Sequence, residues 1–257
     1  MNATTTAAST AHLDYVLRIA DSALILGQRL SEWCGHGPVI EEDIALTNTA
    51  LDLIGQARLL LTHAGQLEGK GRDEDSLAFL RAEPAYRNLT ICELPNEDFG
   101  RTCLRNFLFS AFQAPLWQAL AGSADAQLAA IAGKSGKETR YHVQHAADWV
   151  VRLGDGTEES QARMQRALEY LWPYTAEFFS PLATDAQAEA AGVGPAWSSL
   201  RGAWEQAVLP VLEVAMLKVP AATPFLSRGK EGRHSEHMGH LLAEMQYLQR
   251  AYPRARW

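Results

Sequence analysis

Apolar residues recur at three- and four-residue steps along most of the chain, the rhythm of amphipathic helices rather than of strands. Leu13, Val16, Leu17, Ala20, Leu24 and Leu30 form one such stripe and predict a first helix over 11–33, broken by Gly35-His36-Gly37-Pro38. Glu41, Glu42 and Asp43 suit the positive end of a second helix, expected over 41–67. Its middle, 45–59, is apolar on most sides, the mark of a helix buried by its neighbours. A polar linker follows at 69–75, then a short helix and connection over 76–94, interrupted by Pro84. The third long helix is expected from Asn96, as N-cap, to Leu120, with Pro115 kinking it. A fourth should run from Ser123 to Leu153 and stop at Gly154-Asp155-Gly156. Further helices are expected over 157–179, from Pro195 to Lys218 and over 235–250, with a looser segment at 181–195. The prediction is an all-α protein: a disordered N-terminal tail at 1–10, then a single domain over 11–257 whose long helices come first.

Composition narrows the classes. The apolar share of 47% in 257 residues is enough for a substantial core, and the β-branched alternation of strands is nearly absent. Against 30 acidic residues stand 23 basic ones, a net charge of -7 without a Lys/Arg run, which disfavours nucleic acid as a partner. Cys34, Cys92 and Cys103 have no metal-like spacing and are expected to be buried thiols in a reducing compartment. The N-terminus lacks the basic and apolar parts of a secretory signal, and no apolar run reaches a membrane span. A soluble, cytoplasmic protein without a membrane partner is expected. Trp197, Trp204 and Trp257 hint at partner contacts, although most tryptophans belong to cores.

Candidate chemistry lies on helix faces. Thr139 and His142 are three residues apart, as are Asp52 and Gly55, so each pair leaves its helix on one side. In di-iron bundles such pairs are Glu and His. Asn48, Asp52 and Gly55 share a face, which predicts a carboxylate aimed into the interior and in need of a partner; Lys134, Lys137 or Arg140 could offset it. Asp52 and His142 read either as satisfied core polar groups or as remnants of a metal site, since a di-iron centre wants about four carboxylates and two imidazoles. Ser110 is a small polar residue set among aromatics. His234, Glu236, His237, His240 and Glu244 form the densest imidazole–carboxylate cluster, and His237, His240 and Glu244 share one face. That set could hold zinc or iron, or be a solvated helix start or a contact with another protomer. Arg228, Lys230 and Arg233 upstream are expected in a water-exposed loop. No phosphate-cradling glycine loop, nucleophile elbow or CxxC is present.

Four stretches, Leu51-Asp52-Leu53-Ile54-Gly55-Gln56-Ala57-Arg58, Lys137-Glu138-Thr139-Arg140-Tyr141-His142, Arg29-Leu30-Ser31-Glu32-Trp33-Cys34-Gly35-His36 and Leu242-Ala243-Glu244-Met245-Gln246-Tyr247-Leu248-Gln249-Arg250, carry a resemblance to the PaaC family, the C subunits of bacterial phenylacetyl-CoA epoxidases. The resemblance covers nearly the whole chain after residue 10. It implies a ferritin-like four-helix bundle core with additional C-terminal helices, and a place in a multicomponent monooxygenase of aerobic phenylacetate degradation. That complex would epoxidise the ring of phenylacetyl-CoA with O2 and NADPH-derived electrons. The implied partners are a catalytic A subunit of similar fold, which holds the di-iron centre and most of the phenylacetyl-CoA site, a B subunit, and a reductase carrying FAD and an iron–sulfur cluster. Laid on the catalytic pattern, the first Glu-x-x-His falls on Asp52 and Gly55 and the second on Thr139 and His142. The third-helix carboxylate falls on Ser110, and the first-helix carboxylate near Leu24 to Gln28, where there is no acid. The resemblance therefore implies a structural subunit with no catalytic, cofactor or metal residues of its own. The alternatives are a metal-binding ferritin-like oxidoreductase in its own right, using His237, His240 and Glu244 or Asp52 and His142, and a plain homodimeric scaffold.

Overall fold

The computed structural model describes residues 3–253 and 255, with side chains from Thr10 onward. The expected tail falls on that margin: the backbone is helical from Ala3, while Met1, Asn2 and the side chains up to residue 9 lie outside the described residues. Trp257 lies outside them as well.

The fold is all-α, with no strand among the described residues. Nine α-helices follow in order there: α1 (Ala3–Ser31), α2 (Ile40–Glu68), α3 (Glu74–Phe79), α4 (Phe99–Leu120), α5 (Ala126–Gly154), α6 (Glu158–Leu171), α7 (Ala183–Ala190), α8 (Arg201–Val214) and α9 (Glu236–Ala251). Four long helices thus precede most of the shorter ones, as a ferritin-like bundle with C-terminal additions requires. No helix among the described residues is long and apolar enough to cross a membrane.

Within the expected domain 11–257 the chain packs as two compact units, residues 1–95 with 228–257 and residues 96–227. In the first, α1 and α2 pair along their length as a hairpin, and α9 returns onto α3. α2 opens with the acids that favour a helix start and closes at Gly69, whose φ of 67° is the left-handed conformation that glycine adopts without strain. The buried stripe of α2 is Thr49, Leu53, Gln56, Leu60 and His63, a regular helical face. In the second unit α4 and α5 form the hairpin, covered by α6 and α8. Phe112, Phe178, Phe179, Trp197 and Trp204 make its aromatic core, and the Trp204 indole donates to the Leu108 carbonyl at 3.0 Å.

Several boundaries differ from the periodicity for local reasons. Asp98, not Asn96, caps α4 by accepting from Arg101 N at 2.7 Å. Asp125, not Ser123, caps α5, because the Ser123 hydroxyl is engaged with the Val193 carbonyl at 2.6 Å. The helix expected over 157–179 leaves α geometry after Leu171 and continues as a 3-10 helix to Phe179, where Pro173 removes an amide donor. A 3-10 turn at Trp197–Leu200 precedes α8, which ends at Val214, and the loose segment contains α7. Trp197 and Trp204, weighed as partner contacts against core residues, are fully buried. Cys34, expected buried, is exposed because it lies in the turn between α1 and α2.

Candidate functional site

The positions singled out by the di-iron pattern fall on three helices with different surroundings. On α2, Asp52 and Gly55 are half-buried and Asn48 is exposed. A Cβ on Gly55 would meet no atom within 4 Å. Asp52, expected to aim its carboxylate into the interior, is only half-buried, because the buried stripe runs through Thr49, Leu53 and Gln56, one position away. Water reaches Asp52, so no buried cation is required to neutralise it. Lys134, one of the cations considered for it, lies 3.6 Å from Glu138.

On α4 and α5 the candidates are deeply buried. Ser110 is 3% exposed, Thr139 0% and His142 2%. Asn106, Ser110 and Gln113 follow one another at the i, i+4, i+7 spacing on α4, and Ser135, Thr139 and His142 do the same on α5, so each helix carries a polar face. Asn106 Oδ1, both amide atoms of Gln113, Ser135 Oγ and Thr139 Oγ1 have no hydrogen-bond partner among the described residues. The sequence pattern singles out Ser110, Thr139 and His142 but not Asn106, Gln113 and Ser135, although the same spacing could have shown them. His145, next along α5, stacks on Tyr141 with centroids 5.8 Å apart.

The C-terminal cluster does not assemble. His234 leaves it for Glu93: Nδ1 stands 2.9 Å from Glu93 Oε2, and Nε2 3.3 Å from the Tyr86 carbonyl, with both side chains fully buried. Both ring nitrogens face acceptors, the arrangement of an imidazolium. Burial pulls the His234 pKa down, but the hydrogen bond and charge of Glu93 outweigh it and hold the pKa above its ordinary value. Glu93 also accepts from Ser235 N at 2.5 Å and Asn88 Nδ2 at 3.0 Å. His237 is half-buried, while His240 and Glu244 are exposed. Among the described residues His237, His240 and Glu244 do not bring their ligand atoms within reach of one ion, because His240 and Glu244 extend into water instead of converging. Lys230, expected in a solvated loop, is 1% exposed. That loop is held close by Gly229, where a Cβ would stand 2.4 Å from the Asn88 carbonyl oxygen and whose amide donates to Thr90 Oγ1.

A second buried ion pair has no counterpart among the sequence expectations. Asp21 on α1 receives a two-pronged contact from Arg81, with Nη1 2.9 Å from Oδ2, and a backbone bond from Arg87 N at 2.8 Å. Arg81 lies over the Tyr86 ring at 4.2 Å, and burial pushes the Tyr86 phenol up to about 12. Gln246 of α9 donates to the Arg81 carbonyl and to the Tyr86 hydroxyl. These groups tie α1, the segment after α3 and α9 together; they are structural.

An all-α chain built on two long helical hairpins has the architecture of the ferritin-like class. It belongs to the phenylacetic acid catabolic protein family (PaaA_PaaC), whose pattern matches residues 1–257. It is similar to the C subunit of the 1,2-phenylacetyl-CoA epoxidase of Escherichia coli (strain K12). The two are 45% identical over 243 residues, covering 95% of this chain and 98% of that protein.

Proposed function

We propose that this chain is the structural C subunit of a phenylacetyl-CoA epoxidase, pairing with and supporting a di-iron catalytic A subunit without activating oxygen itself. In this reading the A subunit holds the irons and binds phenylacetyl-CoA, a B subunit joins them, and a flavin- and iron–sulfur-containing reductase delivers electrons from NADPH. The observation that carries the reading is the donor set at the ligand positions. They offer one carboxylate (Asp52), one imidazole (His142), two hydroxyls (Ser110 and Thr139) and a glycine (Gly55). Two irons ask for about four carboxylates and two imidazoles, so these residues do not fit the group. On α1, where a further carboxylate would stand, Leu24, Ile25 and Leu26 are buried and apolar. Buried acids do exist, but they are engaged: Asp21 with Arg81, Glu93 with His234 and Ser235, Glu177 with the Ser227 hydroxyl at 2.7 Å, and Asp185 with the Leu182 amide at 3.0 Å.

Three measurements test the reading. Co-expressed with the catalytic subunit of the same epoxidase, the chain should co-elute with it, and phenylacetyl-CoA epoxidation should need both. Purified alone, it should hold far less than one iron per chain. Asp52→Ala and His142→Ala should lower the yield of folded or assembled protein while turnover per assembled complex stays near wild type. Two irons per chain, lost together with turnover in either variant, would overturn the reading in favour of an oxidoreductase with its own metal.

A further inference from the structure

The stretch of α5 that carries Thr139 and His142 also carries Gly133, Gly136, Lys137 and Arg140, which the proposed function leaves unused. A glycine inside a helix destabilises it relative to alanine, so two of them one turn apart ask for a reason. Packing within the chain supplies none. A Cβ on Gly133 would meet no atom within 4 Å, and one on Gly136 only Trp117 Cβ at 3.5 Å, an ordinary contact. The two glycines and Ala132 form one side of an open trench of about 620 Å³; Ala114, Gln118 and Ala121 of α4 form another, with Ala203 of α8 beside them.

The trench has the shape and charge of a docking groove. Ala114, Gln118 and Ala121 follow at i, i+4 and i+7 beside Pro115 and Trp117, so α4 lines it for roughly 10 Å along the helix axis, opposite the bare glycines of α5. A partner helix can bring its backbone close where no side chain stands in the way. Lys137 and Arg140 are exposed at the rim and pair with no carboxylate among the described residues, whereas neighbouring Lys134 is taken by Glu138. In a chain of net charge -7, two unpaired cations beside an uncharged floor single out an anionic occupant. We infer that this trench receives an acidic helix of the catalytic partner, an assignment that rests on the structural-subunit reading above.

The experiment is a calorimetric titration of the purified chain with the purified catalytic subunit, using wild type, Gly133→Leu and the charge reversal Lys137→Glu/Arg140→Glu, with a thermal melt of each chain alone. Gly133→Leu should raise the melting temperature of the isolated chain by about 2–4 °C, since the position is exposed and leucine is the better helix former. It should nevertheless weaken binding at least tenfold, and the charge reversal should do the same with a reduced dependence on salt. A Gly133→Leu chain that melts higher and binds as wild type overturns the trench and leaves the structural reading intact. Loss of self-association in place of partner binding assigns the groove to a second copy and overturns the acidic helix. A wild-type chain that binds no catalytic subunit removes both readings.

Discussion

In the first unit Asp21, Arg81, Glu93 and His234 are buried, and each meets an opposite charge. In the second, the hairpin of α4 and α5 buries Asn106 Oδ1, the Gln113 amide, Ser135 Oγ and Thr139 Oγ1 with no partner among the described residues. The contrast follows from the cost of desolvation. An isolated ion in a dry interior costs so much that it must be paired or neutralised, whereas a neutral hydroxyl or amide without a partner costs about 1–3 kcal/mol and can persist. The first unit uses its buried charges to fix distant parts of the chain to one another. The second carries a buried polar face for which its own packing gives no use.

Breaking the first unit's side of this contrast should have the largest effect. Arg81→Ala leaves Asp21 buried against a lone backbone amide and should cost about 3–5 kcal/mol in urea-induced unfolding. A loss below 1 kcal/mol, on the order of a surface pair, would mean that Asp21 finds water or another cation. His234→Ala comes next, at about 1–3 kcal/mol, because Glu93 loses its charged partner but keeps its bonds from Ser235 N and Asn88 Nδ2. Its pH dependence has a definite sign. The His234 pKa is raised on folding, so the pair's contribution is complete below the ordinary value of 6.5 and is lost as pH rises through the folded-state pKa. The stability gap between wild type and His234→Ala should therefore be widest in mild acid and narrow toward alkaline pH; a gap that widens with pH would show a neutral imidazole. The smallest effect sharpens the other side. Thr139→Val keeps the shape and removes an unpartnered hydroxyl, so stability should rise by about 1 kcal/mol. A comparable loss would place Thr139 in a hydrogen-bonded network.

Much of this contrast is readable without coordinates. The i, i+4, i+7 spacing of Ser135, Thr139 and His142 on a helix without proline marks a shared face. The partners are not readable. Arg81 lies 60 residues from Asp21, and His234 lies 141 from Glu93. Nothing local to either residue distinguishes a buried cation from a solvated one. His234 shows the hazard: beside His237, His240 and Glu244 it reads as one more ligand, and only the folded chain turns it toward Glu93.

Local rules thus settled the all-α class, the order of the long helices and the caps of α4 and α5 to within two residues, because periodicity and capping chemistry act over a few residues. Tertiary structure alone decided that Asp52 stays within reach of water, that Lys230 is buried, and that two glycines of α5 line an open trench. Those outcomes depend on which neighbour covers a helix face, and that neighbour comes from a distant part of the chain.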